Sequence, residues 1–163
     1  MVGPVEGTDA PMILKIAEIV SIVITALAAG MFFGPWLALT ISIRTFAPDV
    51  FLEIVGRLNT NMARIMTALL PLALLSMIPV LFFSYGVQPN MFVATLAAFA
   101  LFVAALLVTM LVEVPIVQQI VTWTVPTLPD NWQELRDRWG AFHILRVVAS
   151  LAGFVFLVVG AVY

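Results

Sequence analysis

The sequence predicts an all-α integral membrane protein built as a four-helix bundle. Hydrophobic residues make up 63% of the 163 positions and charged residues only 10%, whereas an ordinary soluble domain carries about 25% charged residues. The charges are also segregated, because the windows 19–43, 65–112 and 147–163 contain none. A turn-like cluster at 85–90 divides the middle window into two spans of about 20 residues, each long enough to cross a bilayer as a helix. We therefore predict one membrane domain over residues 1–163.

The chain contains four long apolar segments. Three shorter segments lie in the connections between them. The transmembrane helices are predicted at about 12–34, 62–84, 91–113 and 141–162. The shorter segments are an interfacial helix at about 49–60, a helical or interfacial extension at 116–128 and an amphipathic start of the fourth helix at about 131–140.

The first helix begins after Pro11 and is expected to bend or end at the Gly34-Pro35 pair, since proline removes a backbone donor and clashes with the preceding turn. The segment before it is acidic, unlike the basic start of a secretory signal peptide. Ala26, Gly30 and Gly34 recur at a spacing that lets membrane helices approach closely. We expect another helix to pack closely on this face, and a homo-oligomer through it is the secondary interpretation. Small residues also recur at this spacing by chance in alanine-rich helices.

Start and stop signals place the other helices. Pro48-Asp49 is a helix start, and the apolar residues after it recur at helical spacing with polar residues between them. The second transmembrane helix contains two prolines that should bend it, and the third ends where Glu113 and Pro115 arrive. The fourth is expected to start at a cap, with Glu134 as the capping-box partner of Asn131.

The basic residues orient the predicted bundle in the cell membrane. Six of the seven flank the first or third connection, and only Lys15 lies near the N-terminus. The positive-inside rule then places both of these connections in the cytoplasm and both termini outside.

One face of the fourth helix concentrates the polar chemistry of the chain. The segment 128–146 holds six of the sixteen formal charges, two of the four tryptophans and the single histidine. Spacings of four and three residues select a single stripe: Trp132, Arg136, Trp139, His143, Arg146, Ser150, Gly153, Leu157 and Gly160. Because polar groups are costly in hydrocarbon, the stripe should face protein or a cavity. The alternative is an interfacial belt of tryptophans with Arg146 as a snorkelling anchor.

Glu113 is the natural partner of this stripe. It ends the third helix on the side of the membrane where the fourth begins, so a contact with either Arg146 or His143 is geometrically reasonable. A carboxylate beside the imidazole would fix its tautomer and make it a usable base. A plain charge at a helix end is the alternative interpretation of Glu113.

Several classes of site are disfavoured by residue type. One histidine and no cysteine cannot supply the three or four ligands of an ordinary metal centre, and we expect no metal and no cofactor. No glycine-rich phosphate loop or nucleophile elbow is found, and nothing indicates nucleic-acid binding. The expected partners are the lipid bilayer and a hydrophobic aromatic small molecule.

Three blocks of sequence form a specific pattern: Glu113-Val-Pro115, Leu128-Pro-x-x-Trp132 and Leu135-Arg-Asp-Arg-Trp139-x-x-Phe-His143-x-x-Arg146. Together with Gly30-x-x-x-Gly34-Pro35, this pattern resembles the anthrone oxygenase-like membrane proteins, a large and mostly bacterial family. The resemblance implies a four-helix membrane bundle and, from a few fungal relatives, cofactor-free oxidation of an anthrone to an anthraquinone by molecular oxygen. One departure is that relatives often carry an Asp or Asn and then an Asn where this chain has Val117 and Gln118.

The residues that match the family pattern can be given roles. His143 would remove a carbon-bound proton with Glu113 beside it, and Arg146 or Arg138 would stabilise the oxyanion that forms. The residues expected to bind substrate are Trp132, Arg136, Arg138, Trp139 and Gln118. The alternative function is a non-catalytic membrane module that binds a quinone or lipid, or that scaffolds a partner.

Overall fold

The computed structural model describes the backbone of residues 9–163 and the side chains of residues 11–163. Over this part of the chain the fold is entirely helical, without strands. Four helical segments are long and apolar enough to cross a membrane, which confirms the predicted four-helix membrane bundle. These segments are Pro11–Thr45, Pro48–Ser84, Pro89–Ile120 and Trp132–Val162. Residues 1–8 of the acidic leader lie outside the described residues.

Five α-helices follow one another within residues 9–163. They are α1 (Asp9–Ala38), α2 (Pro48–Ser84), α3 (Pro89–Val108), α4 (Val114–Ile120) and α5 (Trp132–Val162). Short 3-10 helices occupy Thr40–Thr45 and Val125–Thr127, and a π-helical turn, Thr109–Glu113, joins α3 to α4. The most extensive packing is between α3 and α5, followed by α1 against α2 and α5.

The predicted interfacial helix at 49–60 and the second transmembrane helix form one uninterrupted helix, α2. The segment between them, Asn59-Thr60-Asn61, has no proline or glycine to break the backbone hydrogen-bond ladder, so the helix continues through it. The helix begins at Pro48, whose missing N–H would be unpaired in the first turn anyway. Asp49 therefore lies inside the first turn of α2.

The first helix also continues past its predicted end. Pro35 lies inside α1, which reaches Ala38 and is followed by the 3-10 helix Thr40–Thr45. That 3-10 helix lies against α5 at Gly140, where a Cβ atom would be 3.7 Å from Thr40 Cγ2 and 3.9 Å from Ile43 Cγ2. The first connection is thereby held against the start of α5.

The start of α5 does not use the predicted capping box. The side chain of Asn131 makes no capping hydrogen bond to a described residue, and its backbone angles (φ −94°, ψ 17°) are those of a turn. Capping residues usually have extended backbones, which aim their side chains at the first free N–H groups. Here the Trp132 N–H bonds to the Pro129 carbonyl at 3.0 Å and the Glu134 N–H to the Asn131 carbonyl at 3.1 Å.

The polar stripe of α5 faces the interior of the bundle. Buried positions on this helix include Arg136, Trp139, His143, Ser150, Gly153, Leu157 and Gly160. Two of these buried positions, Gly153 and Gly160, are glycines that allow α5 to approach α3 closely. A Cβ at Gly153 would lie 2.9 Å from the Phe102 ring, and one at Gly160 would lie 2.7 Å from Ala94 Cβ.

The small-residue face of α1 is arranged differently. Gly30 and Gly34 are exposed, and a Cβ atom added to either would have no neighbour within 4 Å among the described residues. This face therefore does not pack within the chain, and a homo-oligomer through it stays a prediction.

We expect Gly160→Ala to lower the stability of the bundle. The added methyl would meet Ala94 Cβ, which has no rotamer by which to move away, and overpacking of this kind costs about 1–3 kcal/mol. Thermal unfolding of the detergent-solubilised protein should show a lower midpoint than the wild type. Gly30→Ala adds the same methyl group in open space and is the matched control; an equal loss in both variants would contradict this account of the α3–α5 contact.

Candidate functional site

Glu113, His143 and Arg146 lie together in the interior and form what we call the polar cluster. Arg146 Nη2 is 2.6 Å from Glu113 Oε2, and Glu113 Oε1 is 3.7 Å from His143 Nδ1. Arg146 Nη2 is also 2.8 Å from His143 Nδ1. The side chains of Glu113 and His143 are each 4% exposed, and that of Arg146 is 11% exposed. Glu113 thus contacts both of the partners that the sequence left as alternatives.

The local structure explains why these residues meet. His143 and Arg146 are three positions apart on α5 and therefore share a face. Glu113 ends the π-helical turn, at the position where the sequence predicted the end of the third helix. The ring of Pro115 would clash with the carbonyl of Leu111 in a regular α-helix, and a wider turn relieves such a clash. Isolated π turns are frequent at functional sites, and here the turn ends with Glu113 buried against α5.

Arg146 is held by residues from three parts of the bundle. Its Nη1 donates to Thr109 Oγ1 at 3.2 Å, and the Thr109 hydroxyl donates in turn to the Ala105 carbonyl at 2.7 Å. The ring of Phe32, on α1, lies 4.2 Å from Arg146 Cζ and makes a cation–π contact. The guanidinium is thereby fixed by α1, by the π turn and by its own helix.

The imidazole has an aromatic neighbour as well. The Trp139 ring stacks on that of His143 with centroids 5.7 Å apart and planes inclined by 16°. Stacking of this kind restricts rotation of the imidazole about its side-chain bonds and keeps its ring nitrogens in fixed directions.

Three buried atoms of the polar cluster have no hydrogen-bond partner in the described part of the chain: Glu113 Oε1, His143 Nε2 and Arg146 Nε. More than nine tenths of buried polar groups in proteins are paired, so three unpaired atoms in one cluster are unusual. They comprise a carboxylate acceptor, an imidazole nitrogen and a guanidinium donor. A ligand that reached them could exchange a proton and receive hydrogen bonds on an oxygen atom.

The buried charges of the polar cluster carry an energetic cost, which makes the cluster a candidate functional site. Removing a carboxylate and a guanidinium from water is expensive, and a buried ion pair is often no more stable than apolar residues of the same volume. Ionisable residues within membrane spans are rare and usually serve function. This site is therefore the strongest candidate that the described residues contain.

A second group of charged residues lies closer to the start of α5. Arg136 Nε and Nη2 are each 3.0 Å from Asp137 Oδ1, and Arg136 Cζ is 5.1 Å from the Trp132 ring. Asp137 Oδ2 is in turn 3.2 Å from Arg44 Nη2, on the 3-10 helix Thr40–Thr45. Arg136 and Trp132, both expected to bind substrate, therefore lie beside each other about two turns of α5 away from the polar cluster.

Two predicted substrate-binding residues lie apart from the others. Arg138 is exposed, with Cζ 5.9 Å from the Phe142 ring of its own helix, as expected for a residue off the stripe. Gln118 is exposed on α4, because five residues after Glu113 a helix has turned to a different face. Neither makes a hydrogen bond or ion pair with a described residue of the polar cluster. Their roles in binding stay predictions.

Sequence reasoning did not single out Thr109, Phe32 or Asp137. Thr109 lies four residues before Glu113, so helical spacing could have identified it as a neighbour on the same face. Phe32 and the Arg44–Asp137 pair are contacts between distant segments, and no local pattern signals them. Among the described residues, no group of three or more His, Asp or Glu side chains is placed to hold a metal ion.

Comparison with known families gives a match over more than half of the chain. Residues 58–156 match the family described as anthrone oxygenase. The matched segment includes the whole polar cluster, Thr109 and Trp139, whereas Phe32 and Arg44 precede it. Comparisons with curated proteins and with solved structures find no match.

The polar cluster should behave as one unit in stability measurements. We expect Glu113→Gln and Arg146→Met each to destabilise the folded protein by about 3–5 kcal/mol, because each leaves a buried partner charge unpaired. The double variant removes both charges and should lose much less than the sum of the two single losses. Unfolding of the detergent-solubilised protein by denaturant measures the three values.

The exposed residue Arg64 offers the matched control for that cycle. Arg64→Met removes the same charge from a solvent-facing position of α2 and should change stability by less than about 0.5 kcal/mol. Strictly additive losses at Glu113 and Arg146 would show that the pair is not coupled.

Proposed function

Because the chain belongs to the anthrone oxygenase family, we propose that it oxidises a polycyclic phenolic or quinol-like substrate with molecular oxygen, without a cofactor, at the polar cluster. The observation that carries this proposal is the set of three buried, unpaired polar atoms on Glu113, His143 and Arg146. They lie in a predominantly apolar membrane bundle, where ionisable groups are rare and usually serve function.

The proposed reaction needs only the substrate and oxygen. The polar cluster removes one proton from an acidic ring CH₂ group, and the electron pair moves to the substrate's carbonyl oxygen, which is stabilised by the donors around it. The carbanion transfers electrons to O₂ and a C–O bond forms, giving a peroxide that takes the proton back. Loss of the second C–H proton and cleavage of the O–O bond release water and leave a C=O group. One oxygen atom is thus in the product and one in water.

The surroundings suit a flat, apolar substrate. The Trp139 ring covers His143 and the Phe32 ring covers Arg146, so both side chains have an aromatic surface beside them. Aromatic rings attract other rings in offset or edge-on contact. A polycyclic phenol and O₂ both dissolve in the hydrocarbon that surrounds the bundle, so each can reach the site from the membrane.

The second candidate function is non-catalytic binding of a quinone. It is favoured by the same unpaired donors, Arg146 Nε and the His143 imidazole, which suit a carbonyl oxygen. A quinone binder would retain its ligand during purification and would consume no oxygen with an anthrone, so the two functions give opposite results in one assay.

We further propose that both termini lie outside the cell and that the helix ends that carry the polar cluster face the cytoplasm. The support is the position of six of the seven basic residues near the two connections on that side. Reporter fusions after residue 163 and within the 122–128 connection should show opposite sides of the membrane, with the connection in the cytoplasm. The reverse pattern would refute this orientation.

The purified protein should consume oxygen when given an anthrone. His143→Ala should lower the rate by at least about 100-fold, the typical contribution of a positioned group that transfers a proton or stabilises an oxyanion. The measurement is oxygen uptake together with the appearance of the quinone product, and Arg64→Met should retain the wild-type rate. Full turnover by His143→Ala would refute the role of the polar cluster.

A further inference from the structure

We infer that His143 is held as the neutral tautomer with its proton on Nε2, and that it donates a hydrogen bond to the substrate's carbonyl while Glu113 accepts the carbon-bound proton. This assignment rests on the proposed function for its chemistry, but its first part concerns the protein alone. It reverses the role of base that the sequence suggests for His143.

The first step of the argument is the contact between Arg146 and His143. Arg146 Nη2 lies 2.8 Å from His143 Nδ1, a hydrogen-bond distance. A guanidinium has five N–H donors and no acceptor, and it stays protonated in proteins. Nδ1 must therefore be the acceptor in this contact, so it carries no proton.

The other protonation states of the imidazole fit the geometry poorly. A proton on Nδ1 would point at an Arg146 N–H across the same 2.8 Å, which is repulsive. The carboxylate beside it among the described side chains, Glu113 Oε1, is 3.7 Å away, too far for a hydrogen bond. The doubly protonated imidazolium also has a hydrogen on Nδ1 and meets the same repulsion.

The proton of the neutral ring then lies on Nε2. This atom is buried and has no partner within residues 11–163, so it is available as a donor to a ligand. A protonated nitrogen cannot accept the substrate's proton. A neutral imidazole that donates to a carbonyl instead polarises it and stabilises the oxyanion formed on enolisation.

The acceptor of the substrate's proton is then Glu113. Its Oε2 atom is occupied by Arg146 at 2.6 Å, whereas Oε1 is buried and free of partners in the described chain. Arg146 therefore serves both groups: it orients the carboxylate through one oxygen and selects the imidazole tautomer through Nδ1. No other acceptor of the polar cluster is unpaired.

The assignment also narrows the substrate class. The substrate must present a carbonyl oxygen to Nε2–H and an acidic C–H to Glu113 Oε1 within one ring system, as an enolisable aromatic ketone does. The proton moves to Oε1, the C–H electron pair moves through the ring to the carbonyl oxygen, and Glu113 later returns the proton to the peroxide formed with O₂. A fully reduced hydroquinone without a carbonyl lacks the first group.

The single histidine makes the tautomer directly measurable. Full-length protein labelled with ¹⁵N-histidine gives one imidazole, because the chain contains only His143. Two-bond ¹H–¹⁵N correlation spectra in detergent at neutral pH should show a protonated Nε2 and an unprotonated Nδ1. A proton on Nδ1, on both nitrogens, or exchanging equally between them in the wild type would overturn the inference without any variant having to fold.

Arg146→Met and its control Arg64→Met test whether Arg146 determines the His143 tautomer. Removing Arg146 takes away the donor to Nδ1, so the spectrum should shift towards a proton on Nδ1 facing Glu113, while Arg64→Met should leave it unchanged. An unaltered tautomer in a folded Arg146→Met variant would show that Arg146 does not select it.

The role of Glu113 as proton acceptor is tested by exchange of the acidic C–H of an anthrone in D₂O without oxygen. Glu113→Gln should slow this exchange by at least about 100-fold, and His143→Gln, which keeps a donor, should lose less than Glu113→Gln. Wild-type-like exchange in Glu113→Gln would overturn the role of Glu113. Absence of exchange and of oxygen uptake in the wild type would refute the proposed function, while the tautomer measured in the substrate-free protein would still stand.

Discussion

The burial of the Arg146 guanidinium inside a membrane bundle is the interaction on which the rest of the site depends. A charge in this environment must be compensated, and each compensating group comes from a different part of the fold: Glu113 from the π turn, Phe32 from α1 and His143 from the preceding turn of α5. These contacts fix where the helices can lie relative to one another at this depth. Their arrangement also leaves Glu113 Oε1 and His143 Nε2 without partners in the described chain. The same interaction that stabilises the guanidinium therefore leaves free the two atoms to which we assign the proposed chemistry.

Two backbone features make this contact attainable. The π turn Thr109–Glu113 accommodates Pro115 and ends with Glu113 buried, and Gly153 and Gly160 bring α3 and α5 close enough for the α5 stripe to meet it. A larger residue at either glycine would push α3 and α5 apart along the C-terminal half of α5. A regular α-helical turn in place of the π turn would rotate Glu113 by about 100° and remove it from Arg146.

The sequence predicted the elements that local patterns encode. Helical spacing identified the stripe of α5, and the structure buries Arg136, Trp139 and His143 on it; chain order along the membrane placed Glu113 near them. Contacts between distant segments were not predictable, because Phe32 and Arg44 are ordinary residues of their own helices until tertiary packing brings them to α5. The π turn was missed because proline signals a disruption without specifying its form. The capping box failed since Asn131 has a turn conformation.

The shared use of Arg146 limits how the polar cluster can be tuned. One Nη2 atom contacts both Glu113 Oε2 and His143 Nδ1. Moving the guanidinium towards the carboxylate therefore weakens its hydrogen bond to Nδ1, and moving it towards the imidazole weakens its contact with the carboxylate. The strength of the proton acceptor and the direction of the hydrogen-bond donor are thereby coupled through a single cation. Thr109 and Phe32, which fix the guanidinium from the other sides, set the balance between the two. Under the proposed mechanism, Thr109 and Phe32 would thus influence both the proton acceptor and the hydrogen-bond donor without touching the substrate.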